Sequence, residues 1–163
     1  MSHRFTLGVI TGILALLVAG FAGAYLMVTN GMLPANADAK PGRLETWAAK
    51  KSLNAAIARD MPRSPNPVAQ TTFNFTEGIK LYGANCAVCH GVASGERTNI
   101  AKGFYQVAPQ LAKKGVEDDP AGITYWKITH GIRFTAMPAF SKTLTDSQRW
   151  QITLLLEHMD KLP

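Results

Sequence analysis

The stretch Cys86-Ala87-Val88-Cys89-His90 decides the fold and the chemistry of this chain. Two cysteines two residues apart, followed at once by a histidine, form the attachment signature of a covalent c-type haem. Each cysteine thiol adds to a haem vinyl group, and the adjacent histidine is then held under the iron. The sequence contains two cysteines, so both are consumed here, and the motif predicts one haem c.

Two other uses of a cysteine pair fit this sequence poorly. A zinc ribbon needs a second pair of ligands to complete a tetrahedron, and His3, His130 and His158 do not supply a finger-like spacing. A thioredoxin-type redox pair occurs in a βαβ context, which this sequence lacks. We therefore interpret the pair as a haem attachment site.

Met137 is the candidate for the sixth position of the iron, opposite His90. A thioether sulfur there gives the His/Met ligation of electron-transfer cytochromes. Met137 lies in a loop-like stretch, residues 131–140, that Pro138 stiffens. An ordinary core position is the alternative for Met137. The other methionines lie in the N-terminal segment, before the haem motif or in a helical apolar stripe: Met1, Met27, Met32, Met61 and Met159.

The region from about residue 76 to residue 163 resembles class I cytochromes c. Gly78 and Tyr82 stand eight and four residues before Cys86, where that family has a glycine and an aromatic residue on its first helix. Three further segments are similar to the family's proline–leucine segment, methionine loop and C-terminal helix: residues 108–111, 136–138 and 150–159. The stretch from residue 91 to residue 107 is longer than in compact members.

The resemblance implies an all-α, class I cytochrome c-like haem domain that is an electron carrier and not an enzyme. It implies that Cys86 and Cys89 hold the haem and that His90 and Met137 bind the iron. A metal-bound histidine usually donates its other ring N–H to a nearby acceptor, and we expect the Pro109 carbonyl in that role. In this family, haem is attached on the outer, periplasmic side of the bacterial inner membrane.

Helix signals agree with an all-α fold. The first helix is expected from about Thr76 into the haem motif. For the second helix, Asp119 is the N-cap candidate, Pro120 takes the first helical position and Gly131 ends it. The third opens with a capping box at Thr145. It carries apolar residues on one face: Ile152, Leu155, Leu156 and Met159.

Residues 1–28 are predicted to be an N-terminal transmembrane anchor. The stretch from Phe5 to Val28 has no charged side chain, and at a helical rise it spans about 36 Å, enough for a hydrocarbon core of about 30 Å. A cleavable secretory signal is the rival interpretation, because residues 35–37 are similar to a cleavage site. A retained anchor is favoured, since the apolar region of a signal is usually only about 7–15 residues long.

Two features conflict over the orientation of this anchor in the membrane. Arg4 alone precedes the span, whereas Lys40, Arg43, Lys50 and Lys51 follow it. Taken alone, this bias would place the following domain in the cytoplasm. The location of haem attachment implies the reverse, and we give it more weight because charge bias is weaker ahead of a translocated domain.

Residues 29–75 are predicted to be a connector between the anchor and a haem domain at 76–163. Within it, residues 43–60 lack Pro and Gly and are rich in Ala, which predicts a helix. This helix suits a membrane surface, with Trp47 at the boundary and Lys50 and Lys51 near anionic headgroups. Docking on another subunit is the alternative. Small residues of the span, among them Gly8 and Gly12, would likewise allow a helix partner.

The formal charge of +6 lies mostly in the first half of the chain. Residues 76–163 contain ten Lys/Arg and eight Asp/Glu, and two haem propionates would largely cancel the difference. The basic residues are dispersed and belong to no recognised module, so nucleic-acid binding is not expected, nor is a small-molecule substrate. Five of them could ring an exposed haem edge or be ordinary solvated charges: Lys102, Lys113, Lys114, Arg133 and Lys142.

Together these features predict a membrane-anchored, monohaem cytochrome c that transfers one electron at a time on the periplasmic side, within a respiratory chain. Its expected partners are the membrane and redox proteins. The alternative is a fixed haem c subunit of a larger membrane oxidoreductase. A haem enzyme or gas sensor would need an open iron position, which Met137 argues against.

Overall fold

The computed structural model describes residues 3–92, 95–113, 116 and 118–161. These residues form helices, turns and loops, with no β-strand among them, so the predicted all-α class is confirmed. Two short 3-10 turns lie at Leu111–Lys113 and Met159–Lys161. The α-helices, in chain order, are α1 (His3–Thr29), α2 (Arg43–Asp60), α3 (Thr72–Asn85), α4 (Ala87–His90), α5 (Asn99–Lys102), α6 (Ala121–His130) and α7 (Asp146–Leu156).

The chain divides into two compact units, Met1–Ala39 and Lys40–Pro163. The first contains α1, a 27-residue helix whose most apolar window has a mean hydropathy of 2.3. Its length and composition are sufficient to cross a membrane, although a signal sequence near an N-terminus would satisfy the same criteria. Thr11 and Thr29 satisfy their hydroxyls within the helix, by donating to Leu7 and Tyr25 carbonyls.

The second unit is organised by the crossing of α3 and α7. Gly78 allows this close approach, because a Cβ built on it would lie 2.6 Å from the Gln151 carbonyl oxygen and 3.2 Å from the Leu155 Cβ. One turn further along α3, Tyr82 is buried in the core. Gly78 therefore lies where α3 and α7 cross, and it faces Leu155.

The core beneath this crossing is formed by one apolar cluster. It brings together residues of α3, α6, α7 and the last 3-10 turn: Tyr82, Ile128, Ile152, Leu155, Leu156 and Met159. The four predicted apolar positions of the last helix are therefore all in the core. Met159 is 4% exposed, in agreement with its assignment as a packing residue. Partly buried residues around the haem motif, including Cys86 and Ala87, pack against the same cluster.

The helix ends show which local signals set the boundaries. The Thr145 capping box is present, with the Thr145 hydroxyl accepting from the Gln148 N–H at 3.3 Å. The first helix of the haem domain begins at Thr72 rather than near Thr76, because Thr71 caps it by accepting from the Asn74 N–H at 3.2 Å. Asp119 does not cap α6. Pro120 occupies the cap position, and the Asp119 carboxylate instead pairs with Lys127 at 3.4 Å.

Residues 40–71 pack against the cytochrome-like helices. Helix α2 has the predicted bounds, 43–60, and buries Ile57. After α2, the Pro62 backbone lies against Gly122 so closely that no Cβ would fit there. The Asn66 amide donates to the Trp150 carbonyl at 3.1 Å and to the Glu157 carboxylate at 2.9 Å. These contacts hold the segment on α6 and α7.

Candidate haem site

The haem attachment motif lies between the end of α3 and a glycine. Cys86 ends α3, and α4 carries Cys89 and His90. Burial, with a smaller contribution from Cys89, raises the pKa of the Cys86 thiol to about 12. A thiol of this kind is neutral at physiological pH, whereas metal-binding and redox-active cysteines act as thiolates. Burial of this kind is the setting of an unreactive thiol and not of a thiolate nucleophile.

His90 is oriented by a backbone carbonyl. Its Nδ1 lies 2.8 Å from the Pro109 oxygen, the hydrogen bond expected from the sequence. Because a carbonyl oxygen can only accept, this contact requires the proton on Nδ1. The tautomer so selected leaves the lone pair of Nε2 available to a metal. Pro109 therefore fixes both the direction of the ring and the nitrogen that can bind.

The chain turns sharply after His90 at Gly91, whose φ of +73° is in the left-handed region. The Tyr82 hydroxyl donates to the Gly91 carbonyl at 2.8 Å, and burial raises the pKa of this phenol. A Cβ at Gly91 would lie 2.8 Å from the Gln110 amide nitrogen. The turn is thus held between α3 on one side and the Pro109–Gln110 segment on the other.

Gln110 is a positioning residue that the sequence analysis did not assign. Its side chain is 5% exposed, and its amide donates to the Val92 carbonyl at 2.8 Å and the Gly95 carbonyl at 3.1 Å. The same side chain accepts from the Ala112 N–H at 3.3 Å. It joins the loop after the haem motif to the segment that orients His90. The position of Gln110 directly after Pro109 is the signal that the sequence offers for this role.

Met137 lies on the loop that follows α6, and a second glycine shapes this loop. Gly131 has a φ of +65°, and a Cβ there would fall 2.6 Å from the Met137 oxygen and 2.6 Å from the Pro138 carbonyl carbon. The Ile132 N–H donates to the Met137 oxygen at 3.2 Å, and the Met137 N–H donates to the Thr135 hydroxyl at 3.1 Å. Gly131 was predicted only as a helix end, but it also sets the path of the methionine loop.

The residues present fit a haem c. Two thiols stand at the required spacing, and one of them is partly buried against the core. The His90 imidazole is hydrogen-bonded through Nδ1, so Nε2 is available to a metal. A methionine thioether is supplied by a separately braced loop. Within the described ranges, no group of three or more His, Cys, Asp or Glu side chains is placed to hold a metal ion, so the donor set is not that of a structural zinc site.

The basic residues proposed to ring a haem edge are distributed over several elements. Lys102 ends α5, Lys113 ends a 3-10 turn, and Lys142 lies just before α7; all three are exposed. The Arg133 guanidinium lies 5.5 Å from the centre of the Phe134 ring, on the methionine loop. Lys114, the fifth of this group, lies outside the described residues.

Comparison with known proteins identifies the helical unit that carries these residues. Among curated proteins, none matches the chain. The family described as "Cytochrome C oxidase, cbb3-type, subunit III" matches residues 73–155, slightly more than half of the 163 residues. The match spans α3 to α7 and includes the CxxCH motif, Pro109 and Met137. The chain therefore belongs to this family of c-type cytochromes and is an electron-transfer protein that binds haem c.

Proposed function

We propose that the chain is a membrane-anchored, single-haem electron carrier whose haem domain lies in the periplasm. When bound, haem c supplies an iron that alternates between Fe(II) and Fe(III). The observation that carries the proposal is the 2.8 Å contact between His90 Nδ1 and the Pro109 oxygen. It selects the tautomer in which Nε2 is free to bind, directly after the two attachment cysteines.

In this proposal His90 and Met137 are the residues that would hold the haem iron. Their supports are independent of each other: Pro109 and Gln110 brace the histidine, and Gly131 and Thr135 brace the methionine loop. A carrier that must keep both ligands in both oxidation states benefits from rigid supports, because little reorganisation then accompanies electron transfer. The protein's further tasks are to exclude water and set the potential.

The proposed anchor is α1, retained on the mature protein. Its 27 residues exceed the apolar length of an ordinary signal peptide. We place the cytochrome unit, by which we mean α3 to α7, on the periplasmic side because haem is attached there in the resembling family. N-terminal sequencing of the mature protein tests retention: a sequence that begins at Asp38 would identify a secreted, soluble cytochrome instead.

A second candidate function is that of a fixed subunit within a larger membrane oxidoreductase. The family description names a subunit of an oxidase, and the small residues of α1 would allow close packing against another helix. In that case electrons would pass within a stable complex, and not through a free, tethered carrier.

Stopped-flow kinetics with the natural partner separate the two functions. Transient redox encounters bury little surface and are steered by charge. If Lys113 and Lys142 steer an acidic partner, the rate should fall as salt rises, and should fall further at low salt when both are changed to glutamate. First-order transfer that is independent of salt and of protein concentration would refute the carrier and support the fixed subunit.

A further inference from the structure

Helix α2 has two chemically different sides. Ile57 is 5% exposed and lies beside Ile123 and Lys127 of α6, and Leu53, one turn earlier on the same side, is half-buried. Leu44 precedes Leu53 by nine residues, which is about two and a half turns of a regular helix, so the two side chains point to opposite sides. Leu44 therefore points away from the cytochrome unit. Its side chain is 75% exposed, and that of Trp47, one turn further on, is 60% exposed.

One positive charge of α2 lies on this outward side, and two others border it. Lys51 follows Leu44 by seven residues and Trp47 by four, so the three share one face. Lys50 precedes Ile57 by seven residues and so borders the packed side, as Arg43 does, but both side chains are exposed and long enough to reach around the helix. Across the part of the chain that the structure describes, no carboxylate lies within ion-pair distance of any of these three cations.

The acidic residues of α2 are engaged elsewhere. Glu45 accepts from the Gly42 N–H at 3.2 Å and from the Tyr105 hydroxyl, which turns it toward the cytochrome unit. Asp60, at the end of the helix, is paired with Arg59 at 2.8 Å. The outward side therefore presents an aromatic residue, a leucine and uncompensated positive charge. A surface that complements it is negatively charged outside and apolar beneath, as an anionic lipid bilayer is.

The length of the tether favours the bilayer as the occupant of this side. Residues 30–42 separate α1 from α2, and a fully extended chain of that length spans only about 45 Å. A chain anchored through α1 consequently keeps α2 near a lipid surface at high effective concentration. Even a weak interfacial interaction then suffices to hold the helix there.

We propose that α2 binds the anionic membrane surface through Leu44 and Trp47, with Arg43, Lys50 and Lys51 on the headgroups. This inference rests on the proposed anchor. Because the opposite side of α2 is packed on the cytochrome unit, the interaction would hold that whole unit against the bilayer instead of leaving it free at the end of a tether.

The test uses the full-length holoprotein with a photoreactive benzophenone amino acid in place of Ala48, an exposed residue one turn after Leu44 on the outward side. It is reconstituted in nanodiscs of phosphatidylcholine, alone or with phosphatidylglycerol, and is also expressed in its own membrane. The expected product is a lipid adduct that increases with phosphatidylglycerol. The double change Lys50→Gln and Lys51→Gln should reduce the equilibrium for this contact about 25-fold, at about fivefold per lysine. Lys80→Gln, an exposed lysine of α3, is the matched control and should not change the adduct yield.

Three outcomes would overturn the proposal. An adduct to a protein in the native membrane would show that α2 docks on a subunit. A yield of lipid adducts that changes neither with phosphatidylglycerol nor with the lysine substitutions would show that the contact does not recognise charge. The absence of any adduct would show that the outward side faces solvent. The haem spectrum and resistance to alkaline extraction, measured on the same samples, report on the proposed carrier and anchor separately.

Discussion

Changing Gly78 to alanine tests the helix crossing that supports the haem motif. The added Cβ would lie 2.6 Å from the Gln151 oxygen, and a backbone atom cannot rotate aside, so α3 and α7 must separate. Overpacking of this kind costs about 1–3 kcal/mol, whereas replacing a helical glycine by alanine returns about 0.5–1 kcal/mol. We expect a net loss of about 1–2 kcal/mol in the free energy of unfolding.

The control is Gly83→Ala in the same helix. Gly83 is exposed, and a Cβ there meets no atom within 4 Å, so only the helix-propensity gain of about 0.5–1 kcal/mol applies. Denaturant unfolding of the full-length holoprotein in detergent, followed by helix content, measures both variants. The two should move in opposite directions, and equal stabilisation of both would refute the close crossing.

Three further changes test the loops around the site. Gly131→Ala places an alanine in an extended, positive-φ conformation that is essentially reserved for glycine, at a cost of about 1–3 kcal/mol, and against the Met137 backbone. The low-spin spectrum should therefore be lost at a lower temperature than in the parent, and an unchanged transition would argue against this contact. Gln110→Leu leaves the Val92 and Gly95 carbonyls without their hydrogen-bond donor, which should lower the free energy of unfolding by about 1–3 kcal/mol and speed amide exchange in the loop after the haem motif. Parental exchange rates would contradict the bracing role. Phe134 has a φ of +61° and is 82% exposed, so Phe134→Asn should stabilise the protein by up to about 1 kcal/mol, and a lower unfolding midpoint would oppose this.

The features that the sequence predicted are those encoded locally. The bounds of α2 follow from flanking Pro and Gly residues, and the Thr145 box follows from four adjacent side chains. The cap at Thr71 is also local, yet the expected start near Thr76 lies four residues after the observed start at Thr72. The capping preference of aspartate is not realised at Asp119, because Pro120 occupies the cap position and the Asp119 carboxylate pairs with Lys127.

The features that the sequence did not predict depend on contacts between distant residues. Gln110 reaches Val92 across 18 positions, and Asn66 reaches Glu157 across 91. No periodicity or turn signal encodes such pairs, because each partner is compatible with many environments. The sequence also did not predict the tight packing of Gly131 against the methionine loop, because a glycine at a helix end is already explained by its role in ending the helix.

The most direct test of the proposed site compares Met137→Ala with Met32→Ala in the purified holoprotein. Met32 is 66% exposed and precedes the cytochrome unit, so its removal should leave both the spectrum and the potential unchanged. In the Met137 variant we expect haem to remain covalently attached, the low-spin six-coordinate spectrum to be lost and the midpoint potential to fall. A Met137 variant that keeps the parental low-spin spectrum and potential would contradict His90/Met137 ligation.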